Sequence, residues 1–251
     1  MINGNSSVSG VVYGIDNTGS NAFITGGNHS VSMSNKRSYV VMNGNTTVSG
    51  GTFNGTNTNT GIIVSSDPSA DMKIIGGTIQ NGQNGVTVTD GHVLIGGSVF
   101  FSSNAADIYP ANGKTFELAD DFRNTATVAL ESPAPAGSMT DITSNVPSVG
   151  SSKITAADSE NYETLIDPEN GRFAMYTKPE VIFEANGGIS GTIKSSGKLA
   201  YTDALSYTIP DETVPAASEE AFTFMGWSNS NEAAVPEYKA GSTQCAAARL
   251  K

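Results

Sequence analysis

The feature that most constrains this chain is a glycine pair recurring inside short β-rich phrases: ITGGN at 24–28, VSGGTF at 48–53, IIGGTI at 74–79 and LIGGSV at 94–99. The first glycines fall at 26, 50, 76 and 96, so the steps are 24, 26 and 20 residues. SSVSG at 6–10 also returns as TTVSG at 46–50. A period in the twenties that drifts by a few residues marks a solenoid whose coils differ in length. Between the pairs lie short β-rich pieces at 31–33, 39–42, 62–64 and 86–88, and Ile108 with Tyr109, each punctuated by Gly and Asn. None is long enough for a helix.

One such coil cannot bury its own apolar side, but stacked coils can. Val8, Val31, Val48, Ile74, Val93 and Phe116 are expected to form one inward column, and Phe23, Tyr39, Ile62, Val86 and Ile108 another. Strands of successive coils would pair in parallel at about 4.8 Å, so five or six coils make a prism only about 25 Å long. Gly and Asn suit the tight corners, where φ is often positive. The pattern predicts an all-β chain with a short right-handed parallel β-helix over residues 1–121. An antiparallel β-sandwich, which also has many short strands, is the alternative.

Charge supports a division of the chain. Of 251 residues, 13 are Lys or Arg and 24 are Asp or Glu, for a formal net charge of −11. Residues 1–112 hold eight of those charges and 18 of the 28 glycines. With no basic surplus, nucleic acid and anionic membrane surfaces are excluded as expected partners. No run reaches the roughly 18 apolar residues of a membrane span. A single Cys builds no internal disulfide framework. The opening MINGNSSVSG has no basic or apolar signal region, and the chain is expected to be an excised piece of a longer exported protein.

The first half resembles the pectate-lyase-like β-helices of large surface proteins of gut bacteria, and SSNAADIYPANGKTFEL at 102–118 resembles the last full coil of that group. Enzymes of that fold that cleave acidic polysaccharides work through clustered carboxylates, and here only partial echoes stand, DNTG at 16–19 and DGH at 90–92. Asp120 and Asp121 are adjacent, so on a strand they would point to opposite faces and not flank one sugar; a corner or cap is their expected place. Asp67 and Asp71, in SSDPSADMK, are expected to cap a turn. Lys36 and Arg37 read as a solvated loop tip. His29 and His92 lie about three coils apart, too far for one zinc site. The glycine-pair segments lack the Asp of the calcium-binding nonapeptide roll. Asn5, Asn28, Asn45 and Asn54 match N-x-[ST], a pattern that a segment this rich in Asn, Ser and Thr produces by chance. No catalytic, cofactor-binding or metal-binding residue is assigned, and no cofactor is expected.

Residues 122–178 read as a β-rich cap or linker, with a turn at DPENG whose Asp167, Glu169 and Arg172 are turn charges. A cap is needed because a bare terminal coil exposes an unpaired edge. After Lys178-Pro179 come VIFEANGG at 181–188, IPDETVPAASEEA at 209–221, FTFMGWSNS at 222–230 and PEYKAGST at 236–243. This order resembles the Listeria-Bacteroides repeat, or internalin B-repeat, which implies a small β-grasp-like module over 179–251. The family is an accessory module of bacterial surface proteins and carries no catalytic residues. Alternation in FTFMGW turns Phe222, Phe224 and Gly226 to one face and Thr223, Met225 and Trp227 to the other. Trp227 is read as core, with sugar stacking as the alternative. Asp211, Glu212, Glu219 and Glu220 read as a solvated face. The ending QCAAARLK departs from the family, whose last strand is then incomplete, and Cys245 is assigned no role.

These readings converge on a non-catalytic, monomeric fragment of a bacterial cell-surface or secreted protein, serving as stalk or adhesion scaffold. Its expected partners are glycans or surface proteins of host or bacterium. The alternative is a glycan-binding protein or a polysaccharide lyase or hydrolase. Three carboxylates, or two exposed aromatics, on one parallel face would mark that alternative.

Overall fold

The structure, a computed structural model, describes residues 6–9, 13–16, 21–32, 39–42, 45–56, 61–183, 194–209, 228, 238–239 and 242–245. Two compact units divide the chain: Met1–Pro133 with Met139–Met175, and Ala134–Ser138 with Tyr176–Lys251.

The first unit is a parallel β-helix, a β-solenoid of about four turns. Its strands are β1 (Ser6–Ser9), β2 (Tyr13–Asp16), β3 (Asn21–Ser32), β4 (Tyr39–Met42), β5 (Asn45–Thr56), β6 (Ile63–Ser65) and β7 (Asp71–Gln80). They continue with β8 (Asn84–Val88), β9 (His92–Ile95), β10 (Phe100–Ser102), β11 (Ala106–Pro110), β12 (Glu117–Leu118) and β13 (Ala126–Val128). The first ladder runs β1-β3-β5-β7-β9-β12, with β10 also paired to β7. The second runs β2-β4-β6-β8-β11-β13 and ends on β15 (Ile154–Ala156). Among the described residues every pairing in both ladders is parallel, which removes the antiparallel sandwich. The second ladder thus passes beyond residue 121 into the stretch read as a cap.

The glycine pairs form one corner of the coil. The second glycine of each pair has positive φ: Gly27 93°, Gly51 99°, Gly77 93° and Gly97 57°. The corners also stack backbone on backbone: a Cβ on Gly50 would stand 2.4 Å from the Thr25 carbonyl oxygen, and one on Gly76 2.4 Å from that of Ser49. Left-handed φ and close approach together require glycine here.

Inward rows are set by ladder register. Ile24, Val48, Ile74, Ile95 and Leu118 pair in succession and are all fully buried. Ile63, Val86, Ile108 and Val128 form the matching row of the second ladder. Past the glycine corner, His29, Phe53, Ile79 and Phe101 make a third.

These rows correct the expected columns. Val48 and Ile74 share a row as expected, but Val93 belongs with Met72, and Phe116 bridges to Thr143. Val8 and Val31 pair with each other, while the partner of Val48 is Ile24. Phe23 is 51% exposed, because its strand neighbour Ile24 takes the inward place and side chains alternate. Tyr39 pairs with Tyr13, and buried Ile62 precedes β6 and donates its N–H to the carbonyls of Asn84 and Gly85.

A three-stranded sheet follows in the order β14-β17-β16, from β14 (Met139–Asp141), β16 (Tyr162–Ile166) and β17 (Phe173–Thr177). The DPENG turn joins β16 to β17, closed by Asp167 N–H to the Arg172 carbonyl at 2.8 Å. Ile142, Phe173 and Met175 join the same apolar cluster as Ile24 and Leu118, so one core runs from the coils into this stretch.

In the second unit, β18 (Glu180–Phe183) pairs antiparallel with β19 (Lys194–Lys198). A short helix α1 (Tyr201–Leu205) leads into β20 (Ser206–Thr208), which pairs antiparallel with β21 (Thr243–Cys245). Tyr176 meets Tyr201 edge to face at 5.3 Å between ring centroids. The phrases ANGG and FTFMGW, with Trp227 and the acids at 211, 212, 219 and 220, lie outside the described residues. Among the described residues no helix is long and apolar enough to cross a membrane.

Candidate functional site

Alternation sends Asp71, Lys73, His92, Leu94 and Glu117 to the outer face of the first ladder, between the buried positions Met72, Ile74, Val93, Ile95 and Leu118. Register places Asp71 opposite His92 and Leu94 opposite Glu117 on successive coils. The His92 ring lies between the two carboxylates. Its Nδ1 is 2.8 Å from Asp71 Oδ1 and its Nε2 is 2.8 Å from Glu117 Oε2. Lys73 Nζ approaches Asp71 Oδ2 at 3.6 Å.

A carboxylate only accepts, so the ring satisfies both carboxylates only when each nitrogen donates, which is the imidazolium form. The hydrogen bond to Asp71 raises the His92 pKa above its ordinary value; partial burial opposes this and the bond to Glu117 adds to it. The same bond holds the Asp71 carboxyl below the usual carboxylate range, against a desolvation penalty and with help from the charge of Lys73. In that protonated form the ring offers no lone pair to a metal or to a substrate proton. Among the described residues no group of three His, Cys, Asp or Glu side chains is arranged to hold a metal ion. What the trio does is tie β7, β9 and β12 together from outside.

The same face carries a row of mixed chemistry. Phe23, Thr47, Lys73, Leu94 and Glu117 follow one another in register. Among the described residues this row and its neighbour hold two carboxylates and one exposed aromatic, and a second half-exposed aromatic, Phe100, stands in β10 of the same sheet.

Most other acids of the β-helix end on backbone amides. Asp121 accepts the Gly97 N–H at 2.9 Å and Asp120 the Ser148 N–H at 2.8 Å, so the adjacent pair does divide its work between two segments. Asp67 accepts the Ser69 N–H and hydroxyl, and the backbone bond, ahead of the hydroxyl bond, lowers its pKa. Asp71, expected beside it as a turn cap, instead opens β7. Asp107 accepts the Thr127 N–H at 2.8 Å across coils. Asp90 is bound by Lys114 Nζ at 2.9 Å and by the Gly91 N–H, and its pKa is lowered in that order of cause.

His29 is buried, stacked on Phe53 at 5.1 Å with its Nε2 2.9 Å from the Gly26 carbonyl oxygen, and it lies three ladder strands from His92. Arg172 pairs with Asp141 at 3.4 Å, while Asp167 accepts the Glu169 N–H. Cys245 lies in β21 opposite Ser206. Lys36 and Arg37 fall outside the described residues.

Sequence reasoning missed the trio. Asp71 stands five residues before Gly76 but His92 only four before Gly96, so aligning on the glycine pairs sets them one position apart. A signal was present in DMKI and HVLI, which align once Ile74 and Ile95 are matched instead.

No family model, no curated protein and no solved structure matches the chain.

Proposed function

We propose that this chain is a non-catalytic scaffold of a bacterial cell-surface or secreted protein, a β-helical stalk or adhesion module, with a β-grasp-like accessory repeat over 179–251. The observation that carries the reading is the use made of the acids. Asp107, Asp120 and Asp121 staple one coil or loop to another through backbone amides, and Asp71 and Glu117 clamp His92. Carboxylates committed in this way stiffen a prism and are not poised for proton transfer. The accessory repeat rests on the sequence resemblance of 181–243.

Two measurements test the proposal. Assays against acidic polysaccharides are expected to show no lyase or hydrolase turnover, and fractionation of the source bacterium is expected to place the protein at the surface or in the medium. Turnover lost on Asp71→Asn or Glu117→Gln would overturn the scaffold reading.

A second reading, glycan recognition on the outer face of the first ladder, is favoured by Phe23. It is half exposed and in register with Lys73 and Glu117. An aromatic face beside charged hydrogen-bonding groups suits a sugar ring. Glycan-array binding that Phe23→Ala abolishes would establish it.

A further inference from the structure

Eight Asn-Gly pairs occur in the sequence, at Asn3, Asn43, Asn54, Asn81, Asn84, Asn112, Asn170 and Asn186. Glycine leaves the following amide nitrogen unshielded, so each pair is chemically competent to cyclise, and the sequence ranks none above another. The five pairs among the described residues have very different surroundings.

Four are restrained. Asn170 Nδ2 donates to both Asp141 oxygens at 3.2 and 3.0 Å and to Asp167 Oδ2 at 3.0 Å. Its Oδ1 accepts the Arg172 N–H at 2.8 Å, and the Gly171 N–H is itself committed to the Asp167 carbonyl. Asn81 Nδ2 donates to Asn54 Oδ1 at 2.6 Å, which restrains both side chains, and the Gly82 N–H donates to Asn104 Oδ1. Asn84 is buried in β8, where a Cβ on Gly85 would stand 2.6 Å from the Asp107 carbonyl oxygen.

Asn112 differs on each count. It sits in a turn closed by the Lys114 N–H to the Ala111 carbonyl at 2.9 Å, between β11 and β12. Asn112 and Gly113 are both exposed, and a Cβ on Gly113 would meet nothing within 4 Å. The Asn112 backbone N–H donates to Glu131 Oε2 at 3.0 Å, but among the described residues its side chain and the Gly113 N–H have no hydrogen-bond partner. Gly113 already has a φ of 72°.

We propose that, of the five described Asn-Gly pairs, Asn112 is the one that deamidates spontaneously in the folded protein, with water as the only co-reactant. The Gly113 amide nitrogen loses its proton to solvent base and attacks Asn112 Cγ. The Cγ–Nδ2 bond breaks and ammonia departs with a proton, leaving a succinimide. Water opens that ring at either carbonyl, giving aspartate or isoaspartate at 112. Either product places a new carboxylate beside Glu131, and isoaspartate also lengthens the turn backbone by one carbon.

The test is peptide mapping of the full-length folded chain held at mildly alkaline pH and 37 °C, following the mass gain of about 1 Da that replacing an amide by an acid produces at each Asn-Gly peptide. Asn112 is expected to convert at least about tenfold faster than Asn54, Asn81, Asn84 or Asn170, the factor that giving up one or two ordinary hydrogen bonds imposes. In the chain unfolded by guanidinium the rates should converge. Conversion of Asn112 no faster than that of Asn170 in the folded chain would overturn the proposal. So would a preference for Asn112 that survives unfolding, because the fold would then not be its cause.

Discussion

At the scale of single residues, the His92 clamp is the most informative arrangement on the surface. A histidine whose folded pKa is raised contributes stability that is full below its unfolded pKa of about 6.5 and is lost as pH rises through the folded value. Asp71, whose pKa is lowered, contributes above its unfolded value of about 3.9 and loses that as pH falls through the folded one. The clamp is therefore strongest between about pH 4 and 6.5. The groups are between 35% and 49% exposed, so solvent screening holds each pair to roughly 0.2–1 kcal/mol. Thermal melts of His92→Gln against the parent chain should show a lower melting temperature at pH 5.5, with the gap closing by pH 9 and shrinking in high salt. An unchanged gap across that range would mean the clamp holds no charge. The residue types were plain in the sequence. Their meeting was not, because β9 has one residue fewer than β7 between its paired isoleucine and its glycine pair, so the glycine period sets His92 one place out of step with Asp71.

At the scale of elements, the corner decides how the strands stack. Each glycine pair allows the chain to turn without leaving the ladder, and β3, β5 and β7 each run straight through it. The fourth corner is tight: Gly97 has a φ of 57°, and a Cβ there would fall 2.2 Å from the Ile75 carbonyl oxygen. Gly97→Ala should cost about 3 kcal/mol or more, since strained φ and a backbone clash combine. Gly113→Ala, with a φ of 72° and open space, should cost only about 1–2 kcal/mol. Urea denaturation of the two variants checks the ordering, and equal losses would show that φ alone governs the corner. The glycine period exposed this element directly, whereas the inward rows were only partly legible. Phe23 looked like core by composition, and alternation next to Ile24 turned it outward.

At the scale of the whole molecule, the end of the first ladder has to be closed. Asn145 does this from the stretch beyond the coils: its Oδ1 accepts the Leu118 N–H at 3.0 Å and its Nδ2 donates to the Leu118 carbonyl at 2.8 Å. The Phe116 N–H donates to the Ile142 carbonyl, and the Ser144 N–H to the Phe116 carbonyl, so residues 142–145 stand where another coil would pair. Asn145→Ala strips both groups of Leu118 of their partners and should destabilise the chain by about 1–3 kcal/mol. It should also raise its tendency to aggregate through the exposed edge. Light scattering during a slow thermal ramp measures both effects, and a variant that melts and scatters like the parent would remove Asn145 from this role.

The sequence by itself determined the class of architecture. A glycine-paired period in the twenties, with short β-rich pieces and few charges, leaves a stacked parallel coil as the solution that buries one side of every strand. Tertiary structure alone decided which residues meet across that stack. Contacts there join positions 20 to 28 residues apart, and one residue fewer before the glycine pair of β9 moves its outer neighbours by a full place against that pair. The same physics separates Asn112 from Asn170, two identical dipeptides whose difference is a set of hydrogen bonds supplied by strands distant in sequence.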